Sequence, residues 1–216
     1  MKIFNNITEK VKDDLVEKIQ KGSKVSIAAS CFSIYAYNEL KRQLQKVDSL
    51  RFIFTSPTFI KEKVAKQKRE FYIPRINRES SLYGTEFEIK LRNELTQRAI
   101  ARECAQWIKQ KAVFKSNITN ENMGGFVIVD TKQEQYVYMP VNGFTTVDIG
   151  CERGNNTYNI INRIEQPFTQ EYIKLFDFIW NDKEKLQDVT DMVIENISSA
   201  YNENSPELIY FTHCAS

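Results

Sequence analysis

Histidine is almost absent from this chain, which has one such residue, His213, among 216. It lies three residues from the end in a polar stretch, where neither a nucleophilic nor a metal-binding role is expected. The four cysteines (Cys31, Cys104, Cys151 and Cys214) are widely spaced and form no Cys-x-x-Cys pair, so the sequence predicts no zinc site. The first two have apolar neighbours and are predicted to be reduced core thiols.

Long apolar runs are also missing, since none approaches the roughly 18 residues that span a bilayer. The beginning, MKIFNNITEKVKDD, lacks the apolar core of a signal peptide. We therefore expect a cytoplasmic protein without membrane contact. Glycine and proline are sparse, at 7 and 5 residues, and the hydrophobic fraction of 42% is ordinary. Such a chain can form one full core, or one domain with a helical appendage.

The formal net charge of +2 conceals an asymmetry. From Glu165 onward there are 10 acidic and 3 basic residues, a net charge of −7; the totals of 28 and 30 then leave the first 164 residues with 18 and 27, a net charge of +9. A basic body favours a polyanionic partner. The alternative is a lysine-rich surface that only confers solubility, and composition does not separate the two.

Hydrophobic periodicity predicts an α/β core over residues 1–164 and an acidic helical extension over 165–216. Strands are predicted at Lys24–Ser30 and Arg51–Ser56, joined by a helix that Ser33 caps, which makes a parallel βαβ unit. A first helix is predicted from the spacing of four apolar residues, Ile7, Val11, Leu15 and Ile19. A basic segment over 61–78 precedes a long helix capped at Thr85. Three further strands are predicted at 112–117, 125–131 and 135–141.

The segment Val113–Gly150 resembles the catalytic strand region of a phospholipase-D-type fold. That signature is His-x-Lys, four residues, then an Asp that closes an apolar strand. Here Asp130 closes FVIV, while Met123 stands in the histidine position and Gly125 in the lysine position. Because neither side chain can act as nucleophile or cationic clamp, the resemblance implies a pseudoenzyme with no catalytic residues. A plain buried strand entered through a Gly-Gly turn is the competing interpretation.

Several segments together resemble the N-terminal region of bacterial SWI/SNF-like helicases that carry a phospholipase-D-like domain ahead of the motor. They are residues 11–41, 50–59, 69–108, 114–130, 141–155 and 172–211. The resemblance implies a phospholipase-D-like mixed sheet flanked by helices, with a helical link toward the motor. The chain contains no G-x-x-x-x-G-K-[ST] loop and no Asp-Glu-x-His box. We therefore expect no cofactor in this chain, and ATP and magnesium only in a parent helicase of which it is a fragment.

A nucleic acid, most naturally DNA, is the partner that the resemblance implies, together with helicase motor domains in cis. Five residues are predicted to line a phosphate-binding groove: Lys115, Ser116, Asn117, Asn142 and Thr145. Lysine, hydroxyl and amide groups suffice to hold a phosphate, and such binding is independent of base sequence. Ordinary turn chemistry is the other interpretation of Ser116 and Asn117.

Two further functions remain open from the sequence. Asp130, Asp148 and Glu152 are candidate ligands of a divalent metal in a rearranged nuclease or phosphodiesterase site, if the first two converge. Alternatively, the chain is a pure protein-interaction module whose acidic helices fold back and mask the basic body. Because phospholipase-D folds often pair two halves around one site and this chain has one motif region, a homodimer is also plausible.

Overall fold

The computed structural model describes residues 1–57, 94–119, 121–154 and 159–202. The predicted basic segment 61–78 and the predicted cap at Thr85 lie outside the described residues. The described elements, in chain order, are β1 (Lys2–Phe4), α1 (Val11–Lys18), β2 (Lys24–Ala29), α2 (Ile34–Leu44), β3 (Ser49–Phe54), α3 (Glu94–Lys111), β4 (Ala112–Asn117), β5 (Phe126–Asp130), β6 (Gln135–Met139), β7 (Ile161–Glu165), α4 (Thr169–Trp180), β8 (Leu186–Asp188) and α5 (Thr190–Asn202).

The described strands form one eight-stranded mixed sheet in the order β1-β7-β6-β5-β2-β3-β4-β8. Strands β2, β3 and β4 are parallel, and every other neighbouring pair is antiparallel. The predicted parallel βαβ unit of β2, α2 and β3 is thereby confirmed. The Ser33 cap is also confirmed, because its Oγ accepts hydrogen bonds from the backbone N–H groups of Tyr35 and Ala36 at 3.1 and 3.4 Å.

Helices cover both faces of the sheet. On the first face, apolar residues of α1, α2, α3 and α5 pack against the strands in one large core. At its centre, the ring of Phe32 lies 5.6 Å from Phe52, 5.2 Å from Phe114 and 6.0 Å from Phe144. On the second face, Phe176 of α4 packs against a smaller core. None of the described helices has the length and hydropathy that a membrane crossing requires.

The segment after residue 164 is helical in α4 and α5, as predicted, but it also contains a strand that the sequence analysis missed. Strand β8 pairs with β4, with Leu186 opposite Asn117. Three residues of α5 and the turn before it, Val189, Val193 and Ile197, belong to the large core. The coarse α/β class with a mixed sheet is therefore shown. The phospholipase-D-like fold and the boundary at residue 164 stay predictions.

The first helix begins at Val11, four residues later than its periodicity predicted, because two asparagines hold the preceding residues in turns. The Asn5 Oδ1 accepts hydrogen bonds from the N–H groups of Ile7 and Thr8, both at 2.9 Å. Asn6 has a φ of 54°, and its Oδ1 accepts from the Val11 N–H at 3.0 Å. Asparagine side chains commonly compete with helical hydrogen bonds in this way.

Candidate functional site

The parallel strands give the sheet two chemically different edges. The carboxyl edge is where β2, β3 and β4 end, and it also contains the start of β5 and the end of β6, because β5 is antiparallel to both of its neighbours. The amino edge is where β2 and β3 begin. The segment that resembles the His-x-Lys-x4-Asp signature starts at the carboxyl edge with Met123 and Gly125. It ends at the amino edge, where Asp130 lies opposite Lys24.

Gly125 leaves no room for a side chain. A Cβ at this position would lie 1.9 Å from the carbonyl oxygen of Val141 and 2.9 Å from that of Ala28. The same backbone approach brings the Val141 N–H to the Gly125 carbonyl at 2.9 Å. The lysine of the catalytic pattern therefore cannot be accommodated on this backbone, because its first side-chain carbon would overlap a main-chain oxygen.

The other two motif positions are separated from each other. Met123 is half-buried and packs against the smaller core that contains Phe126. Asp130 accepts a hydrogen bond from Gln135 Nε2 at 3.2 Å, beside the β5–β6 turn. Five steps at about 3.4 Å each separate Gly125 from Asp130 along the strand, roughly 17 Å. The motif positions hence do not converge on one reacting atom.

The Gly143–Thr146 turn is packed against the end of β2. The Phe144 N–H donates to the Cys31 carbonyl at 2.9 Å, and its own carbonyl accepts from the Ser33 N–H at 3.0 Å. Thr145 Oγ1 donates to Asp148 Oδ2 at 2.6 Å. A Cβ at Gly143 would lie 2.6 Å from the Cys31 sulfur. The turn is thus part of the packed structure of the carboxyl edge.

Three of the five residues predicted to bind phosphate are buried. Ser116, Asn117 and Thr145 are 1%, 2% and 3% exposed. Asn117 Nδ2 donates to the carbonyls of Thr55 and Glu121, each at 3.0 Å, so this side chain ties β4 to β3 and to the following loop. These contacts are structural, and a role of these residues in nucleic-acid binding stays a prediction.

Lys115 and Asn142 are the more accessible members of the predicted set. The Lys115 ammonium group donates to the Trp180 carbonyl at 2.7 Å and lies 4.4 Å from the centre of the Trp180 ring. The Lys115 side chain therefore connects β4 of the sheet to the end of α4. The Asn142 side chain is exposed, while its carbonyl accepts from both the N–H and the Oγ of Ser30 at 2.8 and 2.9 Å.

The predicted carboxylate cluster does not form. Asp130 lies at the amino edge, whereas Asp148 and Glu152 lie in the loop that packs on the carboxyl edge, where Thr146 Oγ1 donates to Glu152 Oε2 at 2.7 Å. In the described part of the chain, no three His, Cys, Asp or Glu side chains come together as a metal-binding group. Asp130 and Asp148 do not converge, because they lie at opposite edges of the sheet, so the condition for the rearranged metal site is not met by these two residues.

An arginine that the sequence analysis did not single out joins the acidic segment to the body. Arg51 Nη1 donates to Asp177 Oδ1 of α4 at 2.7 Å, and its Nε and Nη2 donate to Ser26 Oγ at 3.2 and 3.1 Å. The guanidinium carbon lies 4.8 Å from the Phe176 ring centre. The sequence signal for this role was a charged residue at the start of the apolar run RFIF, because a charged side chain in an apolar strand usually has a partner.

The thiols with perturbed acidity are not activated. Burial raises the pKa of Cys151 to about 12, with the Glu39 and Glu152 carboxylates acting in the same direction and the Lys12 ammonium group opposing them. Burial also raises the pKa of Cys104 well above its ordinary value. Because the thiolate is the nucleophile, both groups are poor nucleophiles at neutral pH.

No protein-family model and no curated protein sequence matches this chain.

Proposed function

We propose that this chain is a non-catalytic, phospholipase-D-like module of a bacterial SWI/SNF-like DNA helicase, and that it binds nucleic acid for the motor. The observation that carries the non-catalytic part is the packing at Gly125, where a Cβ would lie 1.9 Å from the Val141 carbonyl oxygen. Since backbone oxygens crowd the position where the pattern has a lysine, restoring the cationic clamp would require the backbone to move and not only one side chain to change.

The nucleic-acid part is supported by charge. The first 164 residues carry a net charge of +9, from 27 basic and 18 acidic residues, and the remaining residues carry −7. A cationic body binds a polyanion mainly through counterion release, so this affinity does not depend on base sequence. ATP hydrolysis would belong to the motor, since the chain contains no phosphate-binding loop of the G-x-x-x-x-G-K-[ST] type.

The acidic segment contributes to the body's structure more than to masking its charge. Strand β8 pairs with β4, and residues of α5 are buried in the large core. Its described ion pairs with the body are Arg51–Asp177 and Arg163–Glu165, and Lys185–Glu121 with the opposite polarity. Removal of residues 165–216 would therefore expose core surface, and point variants are the better probes of this segment.

Binding and hydrolysis by the full chain test the proposal together. Fluorescence anisotropy with labelled 20-base-pair duplex and 20-nucleotide single-stranded DNA, over several salt concentrations, should show binding that weakens steeply with salt. Incubation with bis-(p-nitrophenyl) phosphate, with and without magnesium, should release no nitrophenolate above the rate without protein. Undetectable or salt-insensitive DNA binding would remove the nucleic-acid role and favour a protein-interaction module. Magnesium-dependent hydrolysis would refute the non-catalytic assignment.

A further inference from the structure

Three turns at the amino edge each present a lysine beside a glutamine. The pairs are Gln20–Lys21, Gln45–Lys46 and Lys132–Gln133, and all six side chains are exposed. Lys24, the exposed first residue of β2, lies beside them. We infer that this lysine–glutamine surface, composed of these seven residues, is the face that binds the phosphate backbone of a nucleic acid. The inference rests on the proposed function and specifies its binding surface.

Backbone packing around Gly22 brings the three turns together. The Gly22 N–H donates to the Lys46 carbonyl at 2.9 Å, which joins the turn before β2 to the turn before β3. A Cβ at Gly22 would lie 3.5 Å from the Lys132 Cε, so the β5–β6 turn reaches the same place. Gly22 has a φ of +84°, a left-handed conformation that glycine adopts without strain. The convergence is thus a property of the sheet, since the three lysines are far apart in sequence.

The four ammonium groups of this surface are available to an outside anion. In the part of the chain that the structure describes, no carboxylate lies within 4.0 Å of the Nζ of Lys21, Lys24, Lys46 or Lys132. By contrast, several lysines elsewhere on the body form ion pairs, as in the 2.5 Å contact of Lys41 with Glu103. Ammonium groups without an intramolecular partner lose least when a phosphate displaces their hydration.

Three carboxylates, those of Asp48, Asp130 and Glu134, lie near these lysines and limit the local positive charge. A Cβ at Gly22 would lie 3.7 Å from Asp48 Oδ2, and Asp130 lies opposite Lys24 in the sheet. Lys24 and Asp130 also line an open cleft of about 300 Å³ together with Ser49. Glu134 lies in the same β5–β6 turn as Lys132. Four ammonium groups against three carboxylates leave a modest excess of positive charge, and the cleft leaves space beside Lys24 for a phosphate oxygen.

The composition and width of the surface fit a nucleic-acid backbone. Lysine and glutamine supply charge and N–H donors to phosphate oxygens, and none of the seven residues is an aromatic that would stack on a base. The surface extends from the β5–β6 turn across β2 to β3, about three strand spacings or ~14 Å. At about 3.4 Å of helix axis per phosphate of one strand, this length matches roughly four phosphates.

A charge-matched pair of variants of the full chain tests the inference. The surface variant is Lys21→Gln/Lys24→Gln/Lys46→Gln/Lys132→Gln. The control variant removes four cations outside this surface, with the substitutions Lys10→Gln, Arg153→Gln, Lys174→Gln and Lys183→Gln. Circular dichroism and urea unfolding should first show that both variants fold like the unmodified chain. Binding to the labelled 20-base-pair duplex is then measured at several salt concentrations.

The surface variant should lose most of its affinity and much of its salt dependence. Loss of four phosphate contacts lowers the slope of log affinity against log salt by about 3 to 4. Between about 50 and 200 mM salt, the unmodified chain should therefore lose about 100-fold more affinity than the surface variant loses. The control variant should keep the slope of the unmodified chain to within about one unit.

The possible outcomes separate this inference from the proposed function. If the unmodified chain binds no DNA, the proposed function fails and the inference fails with it. If the unmodified chain binds but the two variants behave alike, only the inference is overturned. If only the control variant loses DNA affinity, the inference is overturned and the contact lies instead at the carboxyl edge, near Lys10, Arg153 and Lys183. Binding to phosphatidylserine vesicles without binding to duplex or single-stranded DNA would overturn the choice of nucleic acid.

Discussion

Replacing each of the two consecutive glycines before β5 with alanine should have very different effects on stability. At Gly125, the added Cβ would lie 1.9 Å from the Val141 carbonyl oxygen, 2.9 Å from the Ala28 carbonyl oxygen and 3.0 Å from the Val141 carbonyl carbon. At Gly124, no atom lies within 4 Å of the added Cβ. Because the two sites are adjacent in sequence, Gly124→Ala is a matched control for Gly125→Ala.

The size of the destabilisation by Gly125→Ala depends on which atoms must move to make room for the added Cβ. The atoms that crowd Gly125 belong to the backbone, so relief requires β5 and the loop after β6 to separate by more than an ångström. Overpacking costs about 1 to 3 kcal/mol, and occasionally more. Separation would also weaken the hydrogen bond from the Val141 N–H to the Gly125 carbonyl, now 2.9 Å, which adds about 1 kcal/mol. Gly125→Ala should therefore destabilise the fold by about 2 to 4 kcal/mol.

Gly124→Ala should instead be neutral or stabilising by up to about 1 kcal/mol, since alanine restricts the unfolded chain and meets no obstacle in the folded one. Urea unfolding followed by tryptophan fluorescence measures both effects, because Trp107 is buried on the first face and Trp180 packs on the second. We expect a fall of about 1 to 2 M in the midpoint for Gly125→Ala. A Gly125→Ala variant within about 0.5 kcal/mol of the unmodified chain would refute the steric account.

Three other substitutions or treatments test the core, the buried charge and the thiols. Asp14→Ala removes the carboxylate, 3% exposed, that lies 2.6 Å from Arg163, and it should lower the free energy of unfolding in urea by about 3 kcal/mol. The substitution of the exposed Glu9 by glutamine should lower it by under about 1 kcal/mol, and equal effects of the two would contradict the importance of burial. Phe32→Ala should lower stability by about 3 to 5 kcal/mol in calorimetry, and a loss under about 1 kcal/mol would show that its aromatic contacts contribute little. Because the pKa of Cys151 is raised to about 12, its alkylation by iodoacetamide at pH 8 should be about 1,000-fold slower in the folded chain than in urea. Mass spectrometry measures both rates, and similar rates would contradict the burial of the Cys151 thiol.

The centre of the sheet was the most predictable part of the fold. The strands around Lys24, Arg51 and Ala112 were recognised because apolar runs bounded by turn residues report burial directly. Strands β1, β7 and β8 were missed, since β1 and β8 have only three residues and β7, INRIE, has one buried residue and so no apolar pattern. Their partners are also remote in sequence, as for β1 with β7 and β4 with β8. Pairing of this kind is decided by the assembled sheet.

The candidate site was predictable in its chemistry but not in its geometry. The sequence shows that positions 123 and 125 hold methionine and glycine, and under the resemblance to a phospholipase-D-type signature this predicts a site without catalytic groups. Nothing in the sequence indicated that Asn117 would be 2% exposed or that the Lys115 ammonium group would lie on the Trp180 carbonyl. The distribution of exposure within β4 depends on which helix covers each face.

The sequence by itself determined the order of the central elements and which residues stand at positions 123, 125 and 130, because residue type and local spacing carry both kinds of information. The tertiary structure alone decided which charges are neighbours. Asp130 and Asp148 were separated because a strand carries its two ends to opposite edges of the sheet. Lys21, Lys46 and Lys132 were brought together because strand order, rather than distance along the chain, places their turns around Gly22.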